Sequence, residues 1–273
     1  MKADTPHLPL SGKSVIACVH LLPTPGSPAY GGSVSDIYHT ALQEAALFAA
    51  CGVDALIVEN FRDGPFFPAA VPPETLATIA GVTREVVGSV SIPVGVAVLR
   101  NDAVGALAIA ECTGAQFIRV NVHVGAVLAE QGIVTGNAHE THRLRRNLGS
   151  SVAILADAHV KHSRPWAYPD LATEVRDLSG RAEGIVVSGE LTGLATVPDD
   201  LDVASRATTK PIFVGSGVTP DNLDSVFPIA DGFIVGSYFK SDGIAGKDVD
   251  RARVEKFMDR WNELKSADTV GAR

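Results

Sequence analysis

Eight short β-forming runs, each followed by a stretch long enough for a helix, alternate along the whole chain. The runs are Val15–His20, Ala55–Asn60, Pro93–Arg100, Gln116–His123, Val152–Lys161, Gly184–Ser188, Pro211–Gly215 and Gly232–Gly236. Between and after them, Val34–Cys51, Pro73–Ser89, Ala103–Cys112, Asn137–Leu148, Tyr168–Leu178, Pro198–Ala207, Pro220–Phe227 and Val249–Leu264 carry mostly helical periodicity or Pro/Asp-type starts. Strand–helix alternation implies parallel pairing through right-handed crossovers. Eight such units in about 250 residues fit a closed (β/α)8 barrel, with an open doubly wound sheet as the alternative. The predicted organisation is an N-terminal extension over residues 1–12, one barrel over 13–265 and a C-terminal tail over 266–273, with no linker between them.

Two of the runs depart from an ordinary buried strand. In Arg119-Val120-Asn121-Val122-His123 and Asp157-Ala158-His159-Val160-Lys161, every second residue is polar or charged. Side chains alternate across a strand, so the polar sets Arg119, Asn121, His123 and Asp157, His159, Lys161 are each expected on one face. Burying them without partners costs about 2–7 kcal/mol for each neutral group and more for a charge. A solvated pocket shared with a polar ligand removes that difficulty. The loops Leu21–Ser33, Phe61–Pro72, Val124–Gly136 and His162–Ala167 follow the first, second, fourth and fifth runs, where barrels bind and cover substrate.

Composition narrows the function classes. A hydrophobic content of 46% with 20% charged residues is that of a globular protein with a large core. A net charge of −8, with one short basic cluster at Arg143, Arg145 and Arg146, argues against sequence-independent nucleic-acid binding. Cys18, Cys51 and Cys112 are widely spaced and odd in number, which indicates neither a disulfide framework nor a zinc ribbon and fits a reducing cytoplasm. No apolar run reaches the ~18 residues of a membrane span. The expectation is a cytoplasmic protein, homo-oligomeric through apolar outer helices, that takes a small molecule.

The last two strands point to the ligand's chemistry. Gly215-Ser216-Gly217 runs from a strand toward a helix expected from Pro220, and Gly236-Ser237 ends the next strand. Glycines let backbone N–H groups approach an anion, and barrels build phosphate sites after strands seven and eight. His20, Glu59, Arg100, Asn101, Ser188 and Glu190 fall at other strand ends. Asp157 with His159 reads as an acid/base pair, and Glu59 as a general base or ligand. Arg119 and Lys161 would neutralise an anionic substrate or an enolate, and a lysine beside another cation can also form a Schiff base. His20, His123 and His159 with Glu59 and Asp157 are compatible with a divalent metal. No H-x-H or H-E-x-x-H spacing supports one, and His139 and His142 read as surface residues.

These residues carry a family resemblance. Val19-His20-Leu21-Leu22-Pro23 with Pro25-Gly26-Ser27-Pro28, then Asp54 to Phe61, Leu99-Arg100-Asn101-Asp102, Phe117 to His123 and Ala156 to His162 closely resemble the BtpA/SgcQ family. Val187-Ser188-Gly189, Thr192-Gly193, Val214 to Pro220 and Ile234-Val235-Gly236-Ser237 continue it, covering about residues 13 to 262. Leu22 stands where the family often has Pro, and Glu190 occupies a variable position. The resemblance implies a barrel of the ribulose-phosphate-binding type and no particular reaction. One branch of the family is named for photosystem I accumulation and the other is associated with sugar metabolism.

The expected function is acid/base chemistry on a phosphorylated sugar or nucleotide-like metabolite: isomerisation, epimerisation, aldol-type cleavage or glycosidic bond exchange. Asp157, His159, Glu59 and Lys161 are the expected catalytic residues. His20, Arg100, Asn101, Arg119, Asn121, His123 and Ser188 are expected to bind substrate, and Gly215, Ser216, Gly217, Gly236 and Ser237 its phosphate. The alternative is a non-enzymatic assembly or regulatory factor that keeps a ligand site.

Overall fold

A computed structural model describes residues 6–168, 170–189 and 198–271. Eight parallel strands close into a barrel: β1 (Ser14–His20), β2 (Ala55–Glu59), β3 (Val94–Ala97), β4 (Phe117–Val120), β7 (Ala153–Ala158), β9 (Gly184–Val187), β10 (Ile212–Val214) and β11 (Gly232–Val235). Helices α1 (Val34–Ala50), α2 (Pro73–Ser89), α3 (Ala103–Thr113), α4 (Ala138–Leu148), α5 (Leu171–Ser179), α6 (Pro198–Ala207), α7 (Leu223–Val226) and α8 (Arg251–Gly271) alternate with them. The (β/α)8 expectation holds, with no need for an open sheet.

The period of two along each strand sorts the core into two layers. Ile16, Cys18, Ile57, Phe117, Leu155 and Val186 point inward and fill the barrel. Val15, Ala17, Val19, Leu56, Val58 and Ile118 point outward and pack against the helices. Large inner side chains need small neighbours: a Cβ on Gly95 would lie 2.3 Å from the Phe117 ring, and one on Gly232 would lie 2.4 Å from Phe213. Leu8 and Leu10, in the expected N-terminal extension, pack against this inner layer. At the other terminus, α8 runs on through residues read as a tail.

Two expected loops contain extra structure. Within Val124–Gly136 lie β5 (Ala126–Ala129) and β6 (Gly132–Thr135), and β8 (Ser163–Pro165) completes a separate antiparallel sheet in the order β6-β5-β8. This sheet ties the segment after β4 to the segment after β7. Strands β3, β4 and β7 end earlier than their sequence patterns predict, at Ala97, Val120 and Ala158. The helix expected from Pro220 begins at Leu223 instead. Asn222 explains the delay: its Oδ1 accepts from Thr219 N at 2.9 Å and its Nδ2 donates to Gly217 O at 2.8 Å, holding the preceding residues in a turn. Among the described residues, no helix is long and apolar enough to cross a membrane.

Candidate active site

On seven of the eight barrel strands the inner-facing row passes, toward the carboxyl end, from an apolar residue to a polar residue or a glycine two residues later, while on β3 Ala97 is followed by Leu99. Cys18 is succeeded by His20, Ile57 by Glu59, Phe117 by Arg119, Leu155 by Asp157 and Val186 by Ser188. Phe213 and Ile234 are succeeded by Gly215 and Gly236. This second layer floors a cavity at the mouth of the barrel.

Arg119 and Asp157 lie on neighbouring strands and form a buried bidentate pair, with Nε to Oδ1 and Nη2 to Oδ2 both 2.9 Å. Asn121 Nδ2 donates to the same carboxylate at 3.1 Å. Burial opposes the Arg119 charge, but the Asp157 carboxylate outweighs it and raises the guanidinium above its ordinary value. Gly215 makes room for this arrangement, because a Cβ there would lie 2.3 Å from Ser188 Oγ and 3.2 Å from Arg119 Nη2.

His20 and Glu59 are register partners on β1 and β2, with Nε2 to Oε1 2.9 Å, and the imidazole stacks on Phe61 at 4.3 Å. Burial pulls His20 down to about 4, against the opposing pull of Glu59. At Glu59 burial acts upward, but the His20 hydrogen bond with Arg119 and Lys161 holds the carboxyl at about 2. Glu59 is thus anionic at neutral pH and His20 a neutral ring whose Nε2–H faces the carboxylate. Behind them, Lys240 donates to Glu44 Oε2 at 2.6 Å, and the same oxygen accepts from His20 N at 3.3 Å.

Lys161 follows β7, its carbonyl accepting from Arg100 Nη2. Its side chain lines both lobes of the cavity, and its Nζ forms no hydrogen bond or ion pair among the described residues. Burial, with the nearby Arg119, pulls the amine below the ordinary lysine range.

One lobe, of about 110 Å³, is walled by the glycine turns Gly215 to Gly217 and Gly236-Ser237. All five expected phosphate residues therefore meet in one place. The second lobe, of about 290 Å³, is bounded by Arg100, Asn121 and the Glu130-Gln131 tip of the β5–β6 hairpin. Glu59, Phe61, Arg119 and Lys161 wall both.

Several expected residues lie elsewhere. The pairing of His159 with Asp157 is corrected: β7 ends at Ala158, and His159 turns the chain outward at φ +48. Its N–H donates to Glu174 Oε2 on α5 at 3.1 Å, and its ring lies 3.6 Å from that oxygen. His123 likewise leaves the Arg119 and Asn121 face, because β4 ends at Val120. It reaches Arg181 O at 3.1 Å beside His142. Asn101 gives its amide to backbone, accepting from Val122 N and donating to Val122 O and Thr135 O. Its role is to hold the segment after β4, not to face the cavity. Glu190 and Thr192-Gly193 lie outside the described residues.

The histidine-rich metal set is therefore not brought together. A different trio is, since ligand atoms of Cys18, His20 and Glu59 lie within 4.8 Å of one another. The Cys18 thiol is pushed up to about 12 by burial and then by Glu59. Arg119 and Lys161 beside this trio make the place cation-rich, which favours an anionic ligand over a dication. Sequence reasoning missed Phe61, Tyr238 and Arg253 as cavity residues. Arg253 comes from α8, after the last strand, and its Nε donates to Tyr238 O at 2.6 Å while its guanidinium covers the Tyr238 ring at 4.3 Å. No local motif announces such a residue.

Glu174 yields a test of the His159 placement. Burial pushes its carboxyl up to about 7 despite the His159 N–H, with Asp157 adding repulsion. A folded value above the ordinary 4.5 means that its contribution to stability is full below pH 4.5 and is lost as pH rises through about 7. Glu174→Gln, locked in the neutral form, is expected to gain on the wild type by on the order of 3 kcal/mol between pH 5 and pH 8. Urea titrations at the two pH values measure it, and an unchanged difference refutes the assignment.

The BtpA family model matches residues 11–263. The chain belongs to the BtpA family. It is 46% identical to the photosystem I biogenesis protein BtpA of Synechocystis sp., over 92% of this chain and 89% of that one. An uncharacterised protein of Pyrococcus furiosus is 39% identical over 94% of this chain and 98% of its own length. Among solved structures, N-(5'-phosphoribosyl)anthranilate isomerase from Pyrococcus furiosus superposes with a TM-score of 0.56. At 17% identity over 92% of this chain and 99% of that one, this is a likeness of fold.

Proposed function

We propose that this BtpA-family barrel is an enzyme that binds a phosphorylated sugar or nucleotide-like metabolite and performs acid/base chemistry on it, as an isomerase, epimerase, lyase or glycosidic-bond-exchange enzyme. One observation carries the reading: a single cavity joins two glycine turns to an acid, a base and a cation, the buried Glu59 and Arg119 and the half-buried Lys161. Ser216, Gly217, Gly236 and Ser237 hold the phosphate through backbone N–H groups and hydroxyls, and Gly215, whose own N–H donates to Val187 O at 2.8 Å, leaves room for its approach. Lys161, whose amine is displaced toward neutrality, transfers the proton, as general acid/base groups work best near ambient pH. Glu59, anionic and fixed by His20, orients a substrate hydroxyl. Arg119, held by Asp157, stabilises developing negative charge. The phosphoribosyl substrate in the name of the superposed isomerase agrees with this ligand class. The name of the Synechocystis relative favours a second reading, a biogenesis factor that retains the ligand site.

Thermal shift with ribulose 5-phosphate, ribose 5-phosphate and their unphosphorylated sugars tests the ligand class. A ligand at about 100 times its Kd adds roughly 2.7 kcal/mol. Ser237→Asp places a carboxylate in the proposed phosphate position, where like charges cost several kcal/mol. The variant is expected to bind the phosphorylated forms at least tenfold more weakly and the free sugars unchanged. Equal loss for both removes the phosphate assignment.

A further inference from the structure

The two lobes differ in shape but share one electrostatic property. Each contains an arginine with no carboxylate bound to it among the described residues. In the glycine-walled lobe this is Arg253, oriented by Tyr238 through its carbonyl and its ring, and it forms no ion pair among the described residues. In the other lobe it is Arg100. That side chain belongs to a buried residue, yet its one hydrogen bond goes to a backbone carbonyl, that of Lys161, and it forms no ion pair among the described residues.

A buried guanidinium without an anion is expensive. Among the described residues, three carboxylates lie within electrostatic range of the second lobe, and none neutralises Arg100 by contact. Asp157 is taken by Arg119 and Asn121. Glu59 is taken by His20. Glu130, which also lines the lobe, is exposed and accepts from Gln131. The lobe also receives Lys161, a second cation without a bonded carboxylate among the described residues. The acid/base residues stand between the two arginines, because Glu59, Arg119 and Lys161 wall both lobes.

From this geometry we infer that the substrate carries two anionic groups, a phosphate in the lobe of Arg253 and the glycine turns and a second phosphate or a carboxylate against Arg100, with the reacting carbons between them at Lys161. This rests on the phosphate reading above and narrows it to sugar bisphosphates and phosphorylated sugar acids. A terminal anion that forms a charge-assisted fork with Arg100 supplies the counter-ion that the described residues do not provide. It also fixes the substrate's direction in the barrel.

Calorimetric titration with matched probes tests the inference. Each pair has similar length and differs by one terminal anion: 3-phosphoglycerate against glycerol 3-phosphate, 6-phosphogluconate against sorbitol 6-phosphate, and ribulose 1,5-bisphosphate against ribulose 5-phosphate. In at least one pair the doubly anionic member is expected to bind about tenfold or more tightly, the ratio that one charge-assisted contact supplies. Arg100→Gln should weaken the doubly anionic member far more than the singly anionic one and so bring that pair to near equality, and Arg100→Lys should restore part of the difference. Arg253→Gln should weaken both members. If the wild type binds the members of every pair equally, the second-anion site is refuted and the phosphate reading stands. If no phosphorylated probe binds at all, the phosphate reading itself fails. The wild-type comparison decides the matter even if an arginine variant does not fold. Which pair responds distinguishes a carboxylate from a second phosphate.

Discussion

Asp157→Asn is expected to destabilise the barrel by about 3–5 kcal/mol, the usual loss when one member of a buried ion pair is removed. The carboxylate accepts both nitrogens of a bidentate Arg119 and the amide of Asn121. Asparagine presents one acceptor oxygen where two are needed and leaves the guanidinium charge uncompensated inside the barrel. Against a typical total of ~5–15 kcal/mol, that is a large part of the stability. Urea denaturation monitored by circular dichroism measures it. Replacing both partners, as Arg119→Met with Asp157→Leu, should recover much of the loss, because apolar pairs of similar volume often match buried ion pairs. If Asp157→Asn unfolds at the wild-type urea concentration, the pair does not hold β4 to β7. The sequence pattern alone reads the same residue as half of an Asp–His proton shuttle, for which the Asn variant stays folded and loses turnover. The structural pairing changes which loss is expected first.

That difference shows where sequence reasoning succeeds and where it stops. Alternation of strand and helix is a property of composition repeated along the chain, so the barrel is legible. The inward face is legible wherever the strand continues: Arg119 two residues after Phe117, or His20 two residues after Cys18, follows from a period of two. Once a strand ends, the period carries no information. His123 and His159 lie one to three residues beyond β4 and β7 and turn to the helix layer, His159 through a positive φ that β-region patterning does not anticipate. Lys161 is past the same strand end, but β8 and the bond from Arg100 bring it back to the mouth. Arg253 and the Glu44–Lys240 pair depend on contacts across long separations in the chain, 15 residues from Arg253 to Tyr238 and 196 from Glu44 to Lys240. Such contacts exist only after the barrel has closed.

Lys161→Met is expected to have the opposite signature to Asp157→Asn: little or no loss of stability and a roughly 10²–10⁴-fold fall in turnover. Burial, with Arg119 next, lowers the folded-state value of this amine. A lowered amine is a charge that the folded state tolerates poorly, so its linked stability is present at high pH and is lost as pH falls through the lowered value. Methionine removes the charge and retains the stem. The variant should therefore melt no lower than the wild type near neutral pH and should flatten the pH dependence above it. Arginine distinguishes proton transfer from simple charge neutralisation. Lys161→Arg keeps a cation in the cavity but cannot release its proton near neutrality, so it should retain substrate affinity within about threefold while kcat stays as low as in the methionine variant. The measurements are kcat and KM on the phosphorylated compound that the wild type converts, with melting curves on the same preparations. An arginine variant with wild-type kcat would reduce Lys161 to an anion-binding residue and shift proton transfer to another group. An early-melting methionine variant would mean that the amine stabilises the closed barrel mouth, contrary to its half-buried position beside Arg119.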